Sequence, residues 1–211
     1  MISKKAASEI LNELYELYPK AKCELNFTTP FELLIATVLS AQTTDKKVNA
    51  ITARLFEKYK TPFDFSNVTQ EQLENEIREI GIYKNKAKNI ISLSKALISN
   101  FNGEVPKTHE ELISLDGVGR KTANVVLSNA FDIPAMAVDT HVFRVSNRIG
   151  LAEAQNVLDT EKQLMKVIKK EEWIKAHHTL IFHGRNICKA QKPHCSECSI
   201  KKYCKFFKEN Q

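Results

Sequence analysis

The 211-residue chain is short of the residues that build turns: six glycines and six prolines together make 12 of 211 positions, about half of ordinary usage. A turn-dense sandwich, a collagen-like chain or a low-complexity chain is hard to assemble from so few, so a helical protein is expected. Long hydrophobic runs are missing too. No uncharged apolar stretch reaches the roughly 18 residues of a membrane span, and the N-terminus leads into an amphipathic stretch with no apolar signal region. A soluble, cytoplasmic protein with no membrane role is the expectation. What is present is 43% hydrophobic, enough to give one compact domain, or two small ones, a real core.

Acidic residues are scarce where basic ones gather. Residues 169–211 hold 10 Lys/Arg against 4 Asp/Glu, and residues 1–168 carry 21 of each. The whole excess of six positive charges is therefore C-terminal. A smaller patch, Gly81 to Gly103, has Lys84, Lys86, Lys88 and Lys95 and no acid. Local positive patches point to a polyanion, most often nucleic acid, although solvated lysines on helix faces explain the composition equally well.

Cysteine is rare over most of the chain and crowded at its end: Cys23 stands alone, whereas Cys188, Cys195, Cys198 and Cys204 fall within the last 24 residues. A cytosolic chain does not rely on disulfides, so a clustered tetrad reads as four thiolates around a metal. The spacing C-x6-C-x2-C-x5-C lacks the paired knuckles of an ordinary zinc ribbon. Ligand type alone allows tetrahedral zinc or an iron–sulfur cluster.

Helix start signals recur. Thr29 with Glu32, Thr69 with Gln72, Thr108 with Glu111 and Thr160 with Gln163 fit the capping-box pattern, and Pro30 suits a first helical turn. Apolar stripes follow at helical spacing: Ile10, Leu11, Leu14 and Leu17; Leu33, Leu34, Val38 and Leu39; and Leu73, Ile77 and Ile80, closed by Gly81 as a C-cap. Further helices are expected over 45–59, 84–99, 120–130, 140–148, 160–169 and 172–183. About ten short helices and no strand define an all-α protein.

Two of the six glycines lie in Leu115-Asp116-Gly117-Val118-Gly119-Arg120-Lys121. Glycines there permit a left-handed turn and close backbone approach, so that hairpin N–H groups and the following helix N-terminus can converge on a phosphate. A tight helix-to-helix turn without a ligand is the rival reading; Arg120 and Lys121 favour the anion. Lys121 sits in the first turn of a helix beside Arg120, where dipole and like charge disfavour the ammonium form, and burial in a pocket would add to this. Such a lysine becomes able to form a Schiff base; a phosphate-contacting lysine is the plainer alternative. Asp139 reads as the N-cap of the next helix, and a carboxylate held by its own helix can also stabilise positive charge or relay a proton. His141, Arg144 and Arg148 share that helix's face, which could meet phosphate or the other lobe.

Together these residues resemble the endonuclease III family of helix-hairpin-helix DNA glycosylases, along essentially the whole chain. The resemblance rests on Ser40-Ala41-Gln42-Thr43-Thr44-Asp45, Gly81-Ile82-Tyr83-Lys84, the hairpin through Lys121, Val138-Asp139-Thr140-His141 and the cysteine tetrad, in that order. It implies a six-helix barrel domain with the hairpin over 22–133, and a helical [4Fe-4S] cluster domain built from both termini, 1–21 and 134–211, with DNA in the cleft between. The cluster, with four thiolates on a 2+ core, would leave the C-terminal region near a net +4. Lys121 would attack C1′ of a flipped damaged nucleotide and form a Schiff base, with Asp139 assisting. A carboxylate beside Lys121 raises the amine's pKa, so burial, Arg120 and the helix N-terminus must outweigh it. Gln42 and Ile82 would fill the gap left by the flipped nucleotide; without the resemblance they read as a helix-end polar residue and a core contact. Gly117, Val118, Gly119, Arg120, Lys84, His141 and Arg144 would contact DNA. The implied activity is that of a bifunctional glycosylase and abasic-site lyase acting on oxidised pyrimidines in duplex DNA, as a monomer. The family hairpin commonly has proline where this chain has Asp116, an acid that either weakens the phosphate grip or caps the turn while pointing away. Rival readings are a monofunctional mismatch adenine glycosylase, which the lysine at position 121 argues against, and a non-catalytic DNA-binding or redox-sensing iron–sulfur protein, which needs no pairing of Lys121 with Asp139.

Overall fold

The structure, a computed structural model, describes residues 2–210. Among these, the regular structure is all helical. The helices are α1 (Lys4–Leu17), α2 (Pro30–Ser40), α3 (Asp45–Lys58), α4 (Pro62–Asn67), α5 (Gln70–Glu76), α6 (Tyr83–Phe101), α7 (His109–Ile113) and α8 (Arg120–Ala130). They continue with α9 (Thr140–Ile149), α10 (Val157–Val167), α11 (Trp173–Asn186) and α12 (Lys205–Glu209), with short 3-10 turns at Lys170–Glu172 and Cys195–Glu197. No described helix is long and apolar enough to cross a membrane. The chain divides into two compact units, Glu24–Ile133 and Met1–Cys23 with Pro134–Gln211.

The unit Glu24–Ile133 is organised on α2, whose residues Phe31 and Leu33 to Leu39 are all buried. A helix apolar on every side has to be surrounded, and α3, α6 and α8 pack against it. Pro30 opens α2, and the Thr29 hydroxyl accepts from Glu32 N–H at 3.1 Å. The Glu32 carboxylate reaches back to the N–H and hydroxyl of Thr28 rather than to Thr29. Phe65 on α4 is fully buried, its ring 5.6 Å from Phe31 and 5.3 Å from Tyr59.

The other unit has its own core, formed by Ile10, Leu11 and Leu14 of α1, Val142, Val145 and Ile149 of α9, Leu164 of α10, and Trp173, Ala176 and Leu180 of α11. Each fully buried aliphatic side chain there contributes about 1.5–3 kcal/mol. Gly184 sets how closely α9 and α11 approach. A Cβ on it would stand 3.0 Å from Val145 Cγ2 and 3.1 Å from both Arg144 Nη2 and His141 Nδ1, so this mid-helix glycine is retained despite its low helix propensity.

Three local expectations need correction, and one helix lies outside the expected set. Thr160 is not an N-cap: α10 starts earlier, Asn156 accepts from Asp159 N–H, and the Thr160 hydroxyl donates back to Asn156 O. Gly81 does not close a helix either, because α5 ends at Glu76 and the left-handed residue is Ile82, which precedes α6. On α1, Leu17 is exposed and Tyr15 is buried. Helix α4 is not among the helices that the apolar spacing predicts, although Thr61 and Asp64 form a complete capping box ahead of Phe65.

Candidate active site and metal centre

The hairpin between α7 and α8 takes its shape from its two glycines in different ways. Gly117 has φ +78°, and a Cβ there would lie 2.8 Å from the Asn89 side chain, so conformation and packing both require glycine. Gly119 has φ −91° and nothing within 4 Å of where a Cβ would be. Neither strain nor crowding explains a glycine at 119; open approach to its backbone does. Val118 is an anchor: its side chain is buried and its N–H donates to Leu115 O at 3.1 Å, so it is not a phosphate donor through that group. Gly119 caps α8, whose first N–H groups have no intrahelical acceptor, and Arg120 and Lys121 are its first two residues. Lys121 is exposed, so the chain by itself does not supply the burial that the sequence reading invoked. The Asp116 carboxylate accepts from Ser92 Oγ on α6 at 2.5 Å, which ties it to the protein.

Two short loops in the same unit carry Gln42 and Ile82. Both residues are exposed and both have left-handed backbone, φ 57° and 58°. For a β-branched isoleucine this is an outlier that costs on the order of 1–3 kcal/mol. The loops are neighbours, since a Cβ on Gly81 would lie 3.9 Å from Gln42 O. Ile82 is therefore not the core contact that its apolar nature allowed: it is 53% exposed. Lys84 is exposed on the first turn of α6, but Lys86 is buried, so the basic patch of this segment is Lys84, Lys88 and Lys95. Composition alone makes Lys86 a surface charge; its register on the buried row Lys86, Ile90, Leu93 and Leu97 is the signal that marks it out.

In the other unit, Asp139 is the N-cap of α9, and its Oδ1 accepts from Val142 N–H at 2.8 Å. The face of α9 with His141, Arg144 and Arg148 turns onto the protein's own carbonyls. Arg144 donates to Cys188 O at 3.1 Å and Gly184 O at 2.8 Å, with Nη2 3.1 Å from His141 Nδ1. Arg148 donates to Lys189 O and Ala190 O, and stacks its guanidinium 4.7 Å from the Phe206 ring centroid. Arg144, expected to meet phosphate, instead fastens the start of the cysteine segment to α9, and His141 lies against it.

Cys188, Cys195, Cys198 and Cys204 line one pocket, together with Ile149, Ile187, Ile200 and Phe206. Among the described residues no three His, Cys, Asp or Glu side chains converge closely enough for a single metal ion. Tetrahedral zinc at 2.3 Å from each sulfur would demand S···S separations of about 3.8 Å. Four thiols that line one apolar pocket without converging on a single ion fit a multinuclear cluster instead. Burial pushes the Cys198 thiol up to about 11, the neighbouring cysteines adding to the shift and the Ile200 N–H opposing it; Cys204 is also raised by burial, against N–H groups of Phe207 and Phe206. Those N–H donors suit thiolates bound to iron, whose charge overrides the burial. His183, which sequence reasoning passed over, is buried with its pKa pulled down to about 4 by desolvation. Its Nε2 lies 3.7 Å from Cys198 Sγ and its Nδ1 3.3 Å from Tyr18 Oη. The tautomer that suits a thiolate carries hydrogen on Nε2 and accepts the tyrosine's at Nδ1.

Residues 35–170, which include the hairpin, both left-handed loops and Asp139, match the family model of the HhH-GPD superfamily base excision DNA repair proteins. That is the class of protein to which the chain belongs. Residues 188–204 match the iron–sulfur binding domain of endonuclease III. The endonuclease III of Bacillus subtilis (strain 168) is 50% identical over 206 residues, 97% of this chain and 94% of its own. Two solved structures, a trapped endonuclease III–DNA covalent intermediate (an estranged-adenine complex) and a non-covalent endonuclease III–DNA complex, superpose with TM-score 0.95 at 54% identity, covering 100% of this chain and 99% of theirs. The chain belongs to the endonuclease III family. Its cofactor is a [4Fe-4S] cluster, bound in the cysteine-bearing C-terminal segment 188–204.

Proposed function

We propose that the protein is a bifunctional DNA glycosylase and abasic-site lyase of base excision repair, removing oxidised pyrimidines from duplex DNA and cutting 3′ to the abasic site. The observation that carries the reading is the placement of Lys121: exposed, second in α8, two residues after a glycine that neither φ nor packing requires. A phosphate held by Gly119 and the α8 N-terminus would set the sugar beside the lysine, and covering by DNA would supply the desolvation that the free protein lacks. The Lys121 amine attacks C1′ and the N-glycosidic bond breaks, the base leaving with its bonding pair and taking up a proton. Ring opening gives the Schiff base. Loss of a C2′ proton then expels the 3′ phosphate, the C3′–O pair leaving with it, and water hydrolyses the imine to free the amine. Asp139 stabilises the developing charge and relays the proton. Gln42 and Ile82 occupy the space vacated by the flipped nucleotide, and Lys84, Arg120 and the hairpin backbone hold phosphates. Cys188, Cys195, Cys198 and Cys204 would hold the [4Fe-4S] cluster, which would order the C-terminal segment when bound. The protein works as a monomer, in the cytoplasm and on nucleoid DNA.

The test is a duplex carrying one oxidised pyrimidine, on which base release and a strand break with a 3′ unsaturated aldehyde are expected; an intact strand would overturn the reading. Gly119→Ala separates binding from folding. With open space at its Cβ and ordinary φ it should leave thermal stability within about 0.5 kcal/mol while weakening affinity for duplex about tenfold, through the lost close approach to phosphate. Unchanged affinity would remove the hairpin from the DNA contact. Asp139→Asn separates capping from catalysis. Asparagine caps as well as aspartate, so unfolding should be unchanged while kcat falls about 10²-fold or more; an equal loss of stability and activity would leave Asp139 as a cap alone.

A further inference from the structure

Lys86 is a buried cation that the reaction does not use. It is 5% exposed, and its Nζ donates to Leu39 O at 2.9 Å, to Ala41 O at 2.5 Å and to Thr43 Oγ1 at 3.4 Å. Three ammonium hydrogens meet three oxygens, and burial lowers its pKa. The acceptors are informative. Leu39 O is among the last carbonyls of α2, where a cation is favoured by the helix dipole, while Ala41 and Thr43 flank Gln42, the left-handed residue at φ 57°. Lys86 also stands one turn after Ile82, its own N–H donating to Ile82 O at 3.2 Å. One side chain thus binds both sides of one strained residue, from the helical turn that carries the other.

We propose that Lys86 is a positioning residue for lesion recognition: its ammonium clamps the 41–43 loop onto α6, so that Gln42 and Ile82 are presented to the duplex as one preformed unit. The clamp holds Gln42 in its left-handed conformation before DNA arrives, and without it the loop relaxes and must be reordered on binding. The inference rests on Gln42 and Ile82 acting as the gap-filling pair.

A double-mutant cycle tests it, with affinity measured for a duplex carrying a non-cleavable abasic-site analogue and for an undamaged duplex. Lys86→Met keeps the apolar stem and removes the donors. Gln42→Ala and Lys86→Met should each cost about tenfold on the abasic duplex and less than about twofold on the undamaged one, and the double variant should be no worse than about twofold beyond the weaker single. If Gln42→Ala costs as much in the Lys86→Met background as in the wild type, or if Lys86→Met weakens both duplexes equally, Lys86 acts only as a charge or a core residue and the proposal falls. If Gln42→Ala costs nothing in the wild type, the gap-filling reading fails first and takes this inference with it. Thermal unfolding confirms that each variant is folded; should Lys86→Met not fold, the same cycle runs in Lys86→Gln, which keeps two N–H donors on a shorter stem.

Discussion

Lys121→Ala is expected to abolish the covalent adduct that borohydride traps between the protein and a duplex carrying an oxidised pyrimidine, and to cut strand cleavage by at least about 10³-fold, because the nucleophile itself is removed. The substitution should cost little stability. Lys121 is exposed near the start of α8, and alanine is the better helix former. Thermal unfolding should stay within about 0.5 kcal/mol of wild type, so lost activity cannot be lost folding. Two outcomes would overturn the assignment. A trapped adduct surviving in the variant would place the nucleophile on another amine. Base release at the wild-type rate without strand cleavage would mean that a water molecule attacks C1′, as in a monofunctional glycosylase.

The second large effect is expected at the cluster. Cys198→Ala should lower the iron content from about four per chain to near zero and remove the brown colour. Cys198 and Ile200 belong to the buried core of their unit, and Ile187, Cys188 and Tyr203 pack against it. Releasing the loop therefore loosens more than a ligand. It frees the backbone at 188–190 to which Arg144 and Arg148 are bonded, leaving Arg144 with Gly184 O and Arg148 to find new acceptors. A loss of more than about 4 kcal/mol is expected, in the range set by removal of a structural metal site, and read by urea unfolding alongside iron analysis. Full iron and wild-type stability in the variant would show that Cys198 is not a ligand. Wild-type protein that is colourless and carries one zinc would overturn the cluster.

These two results concern features that the sequence already displayed. The cysteine tetrad, the glycine hairpin and the helix caps are local patterns, and local patterns are readable because the interacting groups are a few residues apart. Thr69 and Gln72 form their capping box as expected, and α3 and α8 run where periodicity put them. Reading failed where two local signals competed. Thr160 fits a cap in isolation, yet Asn156 sits at the actual start of the helix with its own acceptor in place.

The sequence by itself determined an all-α chain, a four-thiolate centre at its end and a lysine on the mouth of a glycine hairpin. Only the tertiary structure decided how the charged residues are used. Lys86 meets Leu39 O across 47 positions and Arg144 meets Cys188 O across 44, so neither partner is visible at helical spacing. Composition places Lys86 in a basic patch and helix spacing places Arg144 on a face for phosphate or the other lobe; tertiary packing makes one a clamp and the other a brace. The same holds for Gln42 and Ile82, whose left-handed backbone no propensity predicts. Such strain persists only where distant groups fix the chain around it, and around Gln42 those groups are the carbonyls and hydroxyl gathered by one buried ammonium.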